Sequence, residues 1–92
     1  MRARRIDANQ NEVVDALRRL GASVWVTSSL GNGFPDIVVG SRGRNFFLEL
    51  KDGTRPPSEQ KLTDAEREFF QTWRGHVVVV RSVEEAIAAV YE

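Results

Sequence analysis

Apolar positions near the start of the chain recur at helical spacing, with Val13, Val14, Leu17 and Leu20 on one stripe and Glu12 on the polar side. Asp7 and Asn9 are both candidate N-caps, and Gly21 supplies a stop, so the spacing predicts a helix over residues 8–20. The period then shortens. Residues 23–27 have strand composition, and residues 28–33, Ser-Ser-Leu-Gly-Asn-Gly, are too rich in turn formers to continue it. Residues 36–40 predict a second strand, 41–44 a hairpin turn and 45–51 a third strand, antiparallel to the second because the connection is so short.

Residues 52–57 break the pattern. Thr63, with Glu66 three residues on, then predicts a capping box opening a helix whose Phe69, Phe70 and Trp73 face inward, closed by Gly75. Residues 76–81 contain four consecutive valines, which predicts a strand inside the sheet, buried on both faces beside a parallel neighbour. Ser82 and Glu85 cap a last helix carrying Ala86, Ile87 and Val90. The resulting order, α-β-β-β-α-β-α, is an α/β architecture with a mixed sheet flanked by helices, and no repeat or linker interrupts it.

Composition narrows the class. A chain of 92 residues, 41% hydrophobic and 28% charged, suits one compact domain over 1–92. At this length folding buries only about 65% of the exposed surface, so oligomerisation is expected. Without cysteine there is neither a disulfide framework nor a thiolate metal site, which is compatible with a reducing cytoplasm. No run approaches the ~20 apolar residues of a membrane span, and the Met-Arg-Ala-Arg-Arg start lacks the apolar stretch of a signal peptide, so a cytoplasmic protein is expected. The balanced charge hides an asymmetry, because residues 1–55 hold nine bases and six acids and residues 56–92 hold four and seven. Eleven of the thirteen bases are Arg, the side chain suited to bidentate phosphate contact.

One acid is out of place. Glu49 interrupts Phe46, Phe47, Leu48 and Leu50, a run that otherwise reads as buried. Side-chain alternation puts Glu49 and Lys51 on one face, and the neighbouring strand begins with Asp36, so two carboxylates and an ammonium can converge. Such a pair of acids can hold a hard divalent cation through oxygen, a backbone carbonyl and water completing the octahedron that Mg²⁺ demands. A cation there would polarise a phosphate and acidify a water, with Lys51 positioning that water or offsetting charge on the phosphate oxygens. Arg55 and Lys61 flank the loop after this strand, and Arg42 and Arg44 stand at the hairpin tip, all candidates for phosphate contact.

Pro35-Asp36, an apolar strand, a tight turn and a strand ending Glu49-Leu50-Lys51 together resemble the PD-(D/E)XK nuclease superfamily, whose restriction-endonuclease-like core has the element order derived above. Within it the chain looks most like the small stand-alone VRR-NUC, or virus-type replication-repair nuclease, domains of phages and bacteria. The shared stretches are Gly33-Phe34-Pro35-Asp36-Ile37-Val38, Phe47-Leu48-Glu49-Leu50-Lys51, Lys61-Leu62-Thr63 before a helix, and a Val-rich strand followed by Ser-Val-Glu-Glu. The resemblance implies Mg²⁺- or Mn²⁺-dependent hydrolysis of DNA phosphodiester bonds, on branched replication-repair structures such as four-way junctions, by a homodimer. It implies Asp36, Glu49 and the Leu50 carbonyl as metal ligands, Glu12 as an acid lent by the first helix, and Lys51 as catalytic base or water-positioning group. Such domains often carry Gln in the helix after the lysine, where this chain has Glu66. The same fold also serves flap-processing and restriction-type nucleases and catalytically silent binding modules.

The remaining features are expected to be structural. His76 has no Cys or second His partner. Trp25, Phe69, Phe70 and Trp73 suit a core or an interface better than base stacking. Gly31-Asn32-Gly33 lacks the Gly-Lys-Ser/Thr of a phosphate-binding loop and is expected to let a loop bend. Arg2, Arg4 and Arg5 suit a flexible basic arm or a disordered terminus equally.

Overall fold

The computed structural model describes residues 9–92. The candidate cap Asp7, the expected helix start at Ala8 and the basic arm Arg2, Arg4 and Arg5 lie outside these residues. Helix α1 spans Gln10–Arg19 and buries Val13, Val14 and Leu17. It ends at Gly21, whose φ of 94° lets the Gly21 and Ala22 N–H groups turn back onto the Arg18 and Leu17 carbonyls, a Schellman closure.

Strands β1 (Ser23–Val26), β2 (Ile37–Ser41) and β3 (Arg44–Leu50) form an antiparallel meander, and β4 (Val77–Val80) runs parallel to β3. The sheet order is β1-β2-β3-β4. Arg42 and Gly43, both at positive φ, make the tight hairpin between β2 and β3. Helix α2 (Asp64–Thr72) is the crossover from β3 to β4, and α3 (Val83–Tyr91) follows. Both are capped as their sequences predict, α2 by the reciprocal Thr63–Glu66 box and α3 by the Ser82 side chain. The architecture is the mixed α/β sheet with flanking helices that the periodicity predicts.

The main core lies between one sheet face and α1 with α3, where Leu17, Val24, Ile37, Val39, Leu48, Leu50, Val80, Ala86 and Val90 are buried. On the other face α2 brings Phe69 and Trp73 onto Phe47, and Phe34 joins them edge-on at 5.3 Å from Phe47.

One expectation fails here. The valine strand is the sheet's edge among the described residues, with Val78 exposed and only Val80 fully buried. Four valines satisfy an edge strand packed on one side by α3, so the run does not require a central position. Of the two places expected for Trp25, core or interface, the core is excluded, since 77% of its surface is exposed in the middle of β1. Among the described residues no helix is long and apolar enough to cross a membrane.

Candidate active site

The loop from Ser28 to Pro35 delivers Asp36 to the start of β2. It makes a one-turn 3₁₀ helix at Ser28–Leu30 and then takes three successive positive φ angles at Gly31, Asn32 and Gly33. Gly33 passes so close to α2 that a Cβ there would strike the Ala65 carbonyl oxygen. The loop is tied down by the Thr27 hydroxyl, which donates to the Pro35 carbonyl at 2.7 Å, and by Phe34 in the aromatic cluster. Asp36 is then pinned three ways. Its N–H donates to the Leu48 carbonyl, its carbonyl accepts from Thr27 N–H, and its Oδ2 accepts from Leu50 N–H at 2.8 Å.

That last bond joins Asp36 to the Glu49-Leu50-Lys51 end of β3. Glu49 is 2% exposed and Asp36 8%, and Glu66 of α2 is buried beside them. Burial pushes the Glu49 carboxyl up, the negative charges of Asp36 and Glu66 add to this, and hydrogen bonds that only its protonated form can make with both neighbours complete a shift to about 9. Glu49 Oε1 is buried with no hydrogen-bond partner. Lys51 Nζ lies 3.0 Å from Glu66 Oε1 and 3.8 Å from Glu49 Oε2. For Glu66 burial is again the largest influence and works upward. Bonds from Thr63 N–H, the Lys51 ammonium and Glu49 outweigh it together, leaving Glu66 below the usual carboxylate range.

The donor set suits a hard cation. An acid proton at Glu49 and an orphaned carboxylate oxygen beside Asp36 are what an oxygen-ligated divalent ion would replace and satisfy. Among the described residues no group of three or more His, Cys, Asp or Glu side chains is arranged to hold a metal. The pair Asp36 and Glu49, with the Leu50 carbonyl and water, is the set of oxygen donors that would hold such an ion.

The other expected members distribute unevenly. Glu12 is exposed on α1, whereas Gln10 of the same helix is buried. The hydrophobic stripe, set by Val13, Val14 and Leu17, turns Glu12 to solvent. Arg42 and Arg44 stand at the far end of β3 from Glu49, about 15 Å or more along the strand. Arg42 donates to the Val90 carbonyl at 3.2 Å and covers Tyr91, and Arg44 covers the Phe46 ring, so both brace the hairpin. Arg55 is half exposed and pairs with Glu59 at 3.3 Å. Lys61 lines a groove with Gln60, Val79 and Arg81, and Val79 is the register partner of Glu49.

Two residues do more at the site than the sequence tells. Glu66 reads as a capping residue standing where similar domains often carry Gln, and its bond to Lys51 depends on the turn of α2. Asn9 reads as a cap, yet its amide donates to the Lys51 and Arg81 carbonyls at 3.1 and 3.4 Å and so ties α1 to the ends of β3 and β4.

No family model matches the sequence, and no curated protein matches it. Among solved structures, one described as a VRR_NUC domain superposes over 94% of this chain and all of its own, with a TM-score of 0.57 and 28% identity. The chain has the fold of a VRR-NUC domain. That likeness supports a nuclease-type domain, and the Asp36, Glu49 and Lys51 cluster lies where this chain's Pro-Asp and Glu-Leu-Lys stretches meet.

Proposed function

We propose that this VRR-NUC domain is a divalent-metal-dependent DNA endonuclease whose Asp36 and Glu49 hold Mg²⁺ or Mn²⁺. The observation that carries the reading is the buried, partnerless Glu49 Oε1 beside Asp36, at the end of a strand whose other inward positions are apolar. A bound cation supplies Lewis-acid polarisation of the phosphate and a more acidic water. The chain's own residues do the rest. Leu50 N–H orients the Asp36 carboxylate, Glu66 holds the Lys51 ammonium, and Lys51 presents a positive charge to the phosphate oxygens and a donor to the attacking water. An ammonium already donating to Glu66 fits this positioning role better than that of general base. Lys61, on the β4 side of Glu49, holds the adjoining phosphate.

The resemblance to replication-repair nucleases supports branched DNA, such as four-way junctions, as substrate. A small core, with Val26 and Leu30 left exposed, supports a homodimer that cuts two strands. Labelled four-way junction, flap, duplex and single strand, incubated with and without Mn²⁺, test this reading. Metal-dependent cutting that favours the junction is expected, equal cutting of all four removes the branched specificity, and no cutting of any removes the activity.

A further inference from the structure

Trp25 stands in the middle of a regular strand with 77% of its surface exposed, and nothing in the fold calls for it there. Its register partner is Val38, which also faces Phe47, so Trp25, Val38 and Phe47 form one row on the α2 side of the sheet. Glu49, two residues beyond Phe47, projects from this same face. Helix α2 covers the Phe47 end of the row and stops at Thr72, which leaves the β1 and β2 part open.

Two grooves occupy the open part. One, of about 390 Å³, runs between Trp25 and Arg18, and the other, of about 520 Å³, between Trp73 and His76. They meet at Val38 and Asn45, which line both. Trp73 forms a fixed wall, its ring stacked on Phe69 at 5.1 Å and tilted against Phe47 at 4.7 Å. Arg18 is pinned at the other end by its bond to the Val24 carbonyl at 2.8 Å. No acidic side chain lines either groove, so the charge of the shelf suits an anionic ligand.

We propose that this shelf binds an unpaired nucleotide of the substrate strand, its base stacked on Trp25, its edge toward the Asn45 amide and its phosphate toward Arg18. The inference rests on the nuclease reading and extends it to the form of the substrate. An exposed indole can stack only on a base whose own face is free, as in a single strand, a flap or the open centre of a junction. A base held there sits one row along and two strands across from Glu49, roughly 12 Å at strand spacings, next to the cleaved bond rather than at it. Continuity of this face with the acidic cluster and the absence of acidic lining favour a nucleotide over a protein partner.

Binding of fluorescein-labelled oligothymidylate and of a blunt duplex of equal length, in EDTA and at fixed salt, tests the proposal with Trp25→Ala and Trp25→Phe. So exposed a side chain leaves the core intact when truncated, and circular dichroism checks this. Trp25→Ala is expected to weaken single-strand binding by about 5- to 150-fold, the worth of one stacked base, with duplex binding unchanged and Trp25→Phe close to wild type. Equal single-strand affinity of Trp25→Ala and wild type overturns the proposal, as does equal weakening on both DNAs. A change of molecular mass in Trp25→Ala, read by light scattering, also overturns it, because Trp25 then covers a second copy. Single-strand binding through Trp25 without any Mn²⁺-dependent cleavage sustains the shelf and removes the nuclease reading. Cleavage with no effect of Trp25→Ala on binding does the reverse.

Discussion

Glu66 Oε1 accepts from Lys51 Nζ at 3.0 Å and from its own cap partner Thr63 N–H at 2.9 Å, so one oxygen both starts α2 and holds the lysine of β3. The amide oxygen of Gln can accept the same two bonds. Glu66→Gln is therefore expected to keep stability within about 0.5 kcal/mol and cleavage within a few-fold. Glu66→Ala loses the cap and the lysine's support together. It is expected to cost about 1–2 kcal/mol and to slow cleavage at least 10-fold, measured by urea unfolding and single-turnover kinetics.

Lys51→Ala tests the ammonium itself. Lys51 also supports the fold, because its ammonium stands beside the buried Glu49 and Glu66. The variant is expected to lose about 1–3 kcal/mol, the worth of a hydrogen bond to a charged group, and to cleave ~10²- to 10³-fold more slowly while still binding DNA. Wild-type cleavage by Lys51→Ala makes Lys51 a bystander.

Glu49 sets the pH dependence of the metal-free protein. Burial, with the charges of Asp36 and Glu66, pushes the Glu49 carboxyl up to about 9 in the folded chain, against 4.5 for an unperturbed Glu. Between those values the native state binds more protons than the unfolded state, so this group's contribution to stability falls as pH rises. Glu49→Gln is expected to raise the melting temperature in EDTA at pH 8 and to flatten its decline with pH. Mn²⁺ is expected to stabilise wild type, increasingly as pH rises toward 9, and to leave Glu49→Gln unmoved in melting curves.

Gly33 and Gly43 separate strain from crowding. Both have positive φ, 81° and 77°, but a Cβ meets nothing within 4 Å at Gly43 and strikes the Ala65 carbonyl at Gly33. Gly43→Ala is expected to cost about 1–2 kcal/mol, the backbone term alone. Gly33→Ala is expected to cost more in denaturant titration and to reduce cleavage as well, since it displaces the loop that delivers Asp36 from the helix that carries Glu66.

The order of elements, the hairpin, both helix caps after residue 60 and the meeting of Asp36, Glu49 and Lys51 were legible because each rests on local chemistry or strand alternation. Glu66 was legible as a cap and as the position where similar domains often carry Gln, but its contact with Lys51, which depends on how α2 sits across the sheet, was not. Glu12 and Gln10 show the same limit: helical spacing puts Glu12 on the polar side, but which residue of α1 turns inward near Asn9 is a tertiary matter. The edge position of the valine strand and the exposure of Trp25 were hidden because a hydrophobic residue in a strand pattern reads as buried until the coverage of its face is known.

Cleavage of a labelled four-way junction by wild type, Asp36→Asn and Glu49→Gln, compared with Mn²⁺ and with EDTA, tests the central claim most directly. Cutting by wild type only with Mn²⁺, and its loss in both variants while their folds persist, is the result expected. Cutting in EDTA, or cutting by either variant at the wild-type rate, would contradict the assignment of Asp36 and Glu49 as the metal-holding pair.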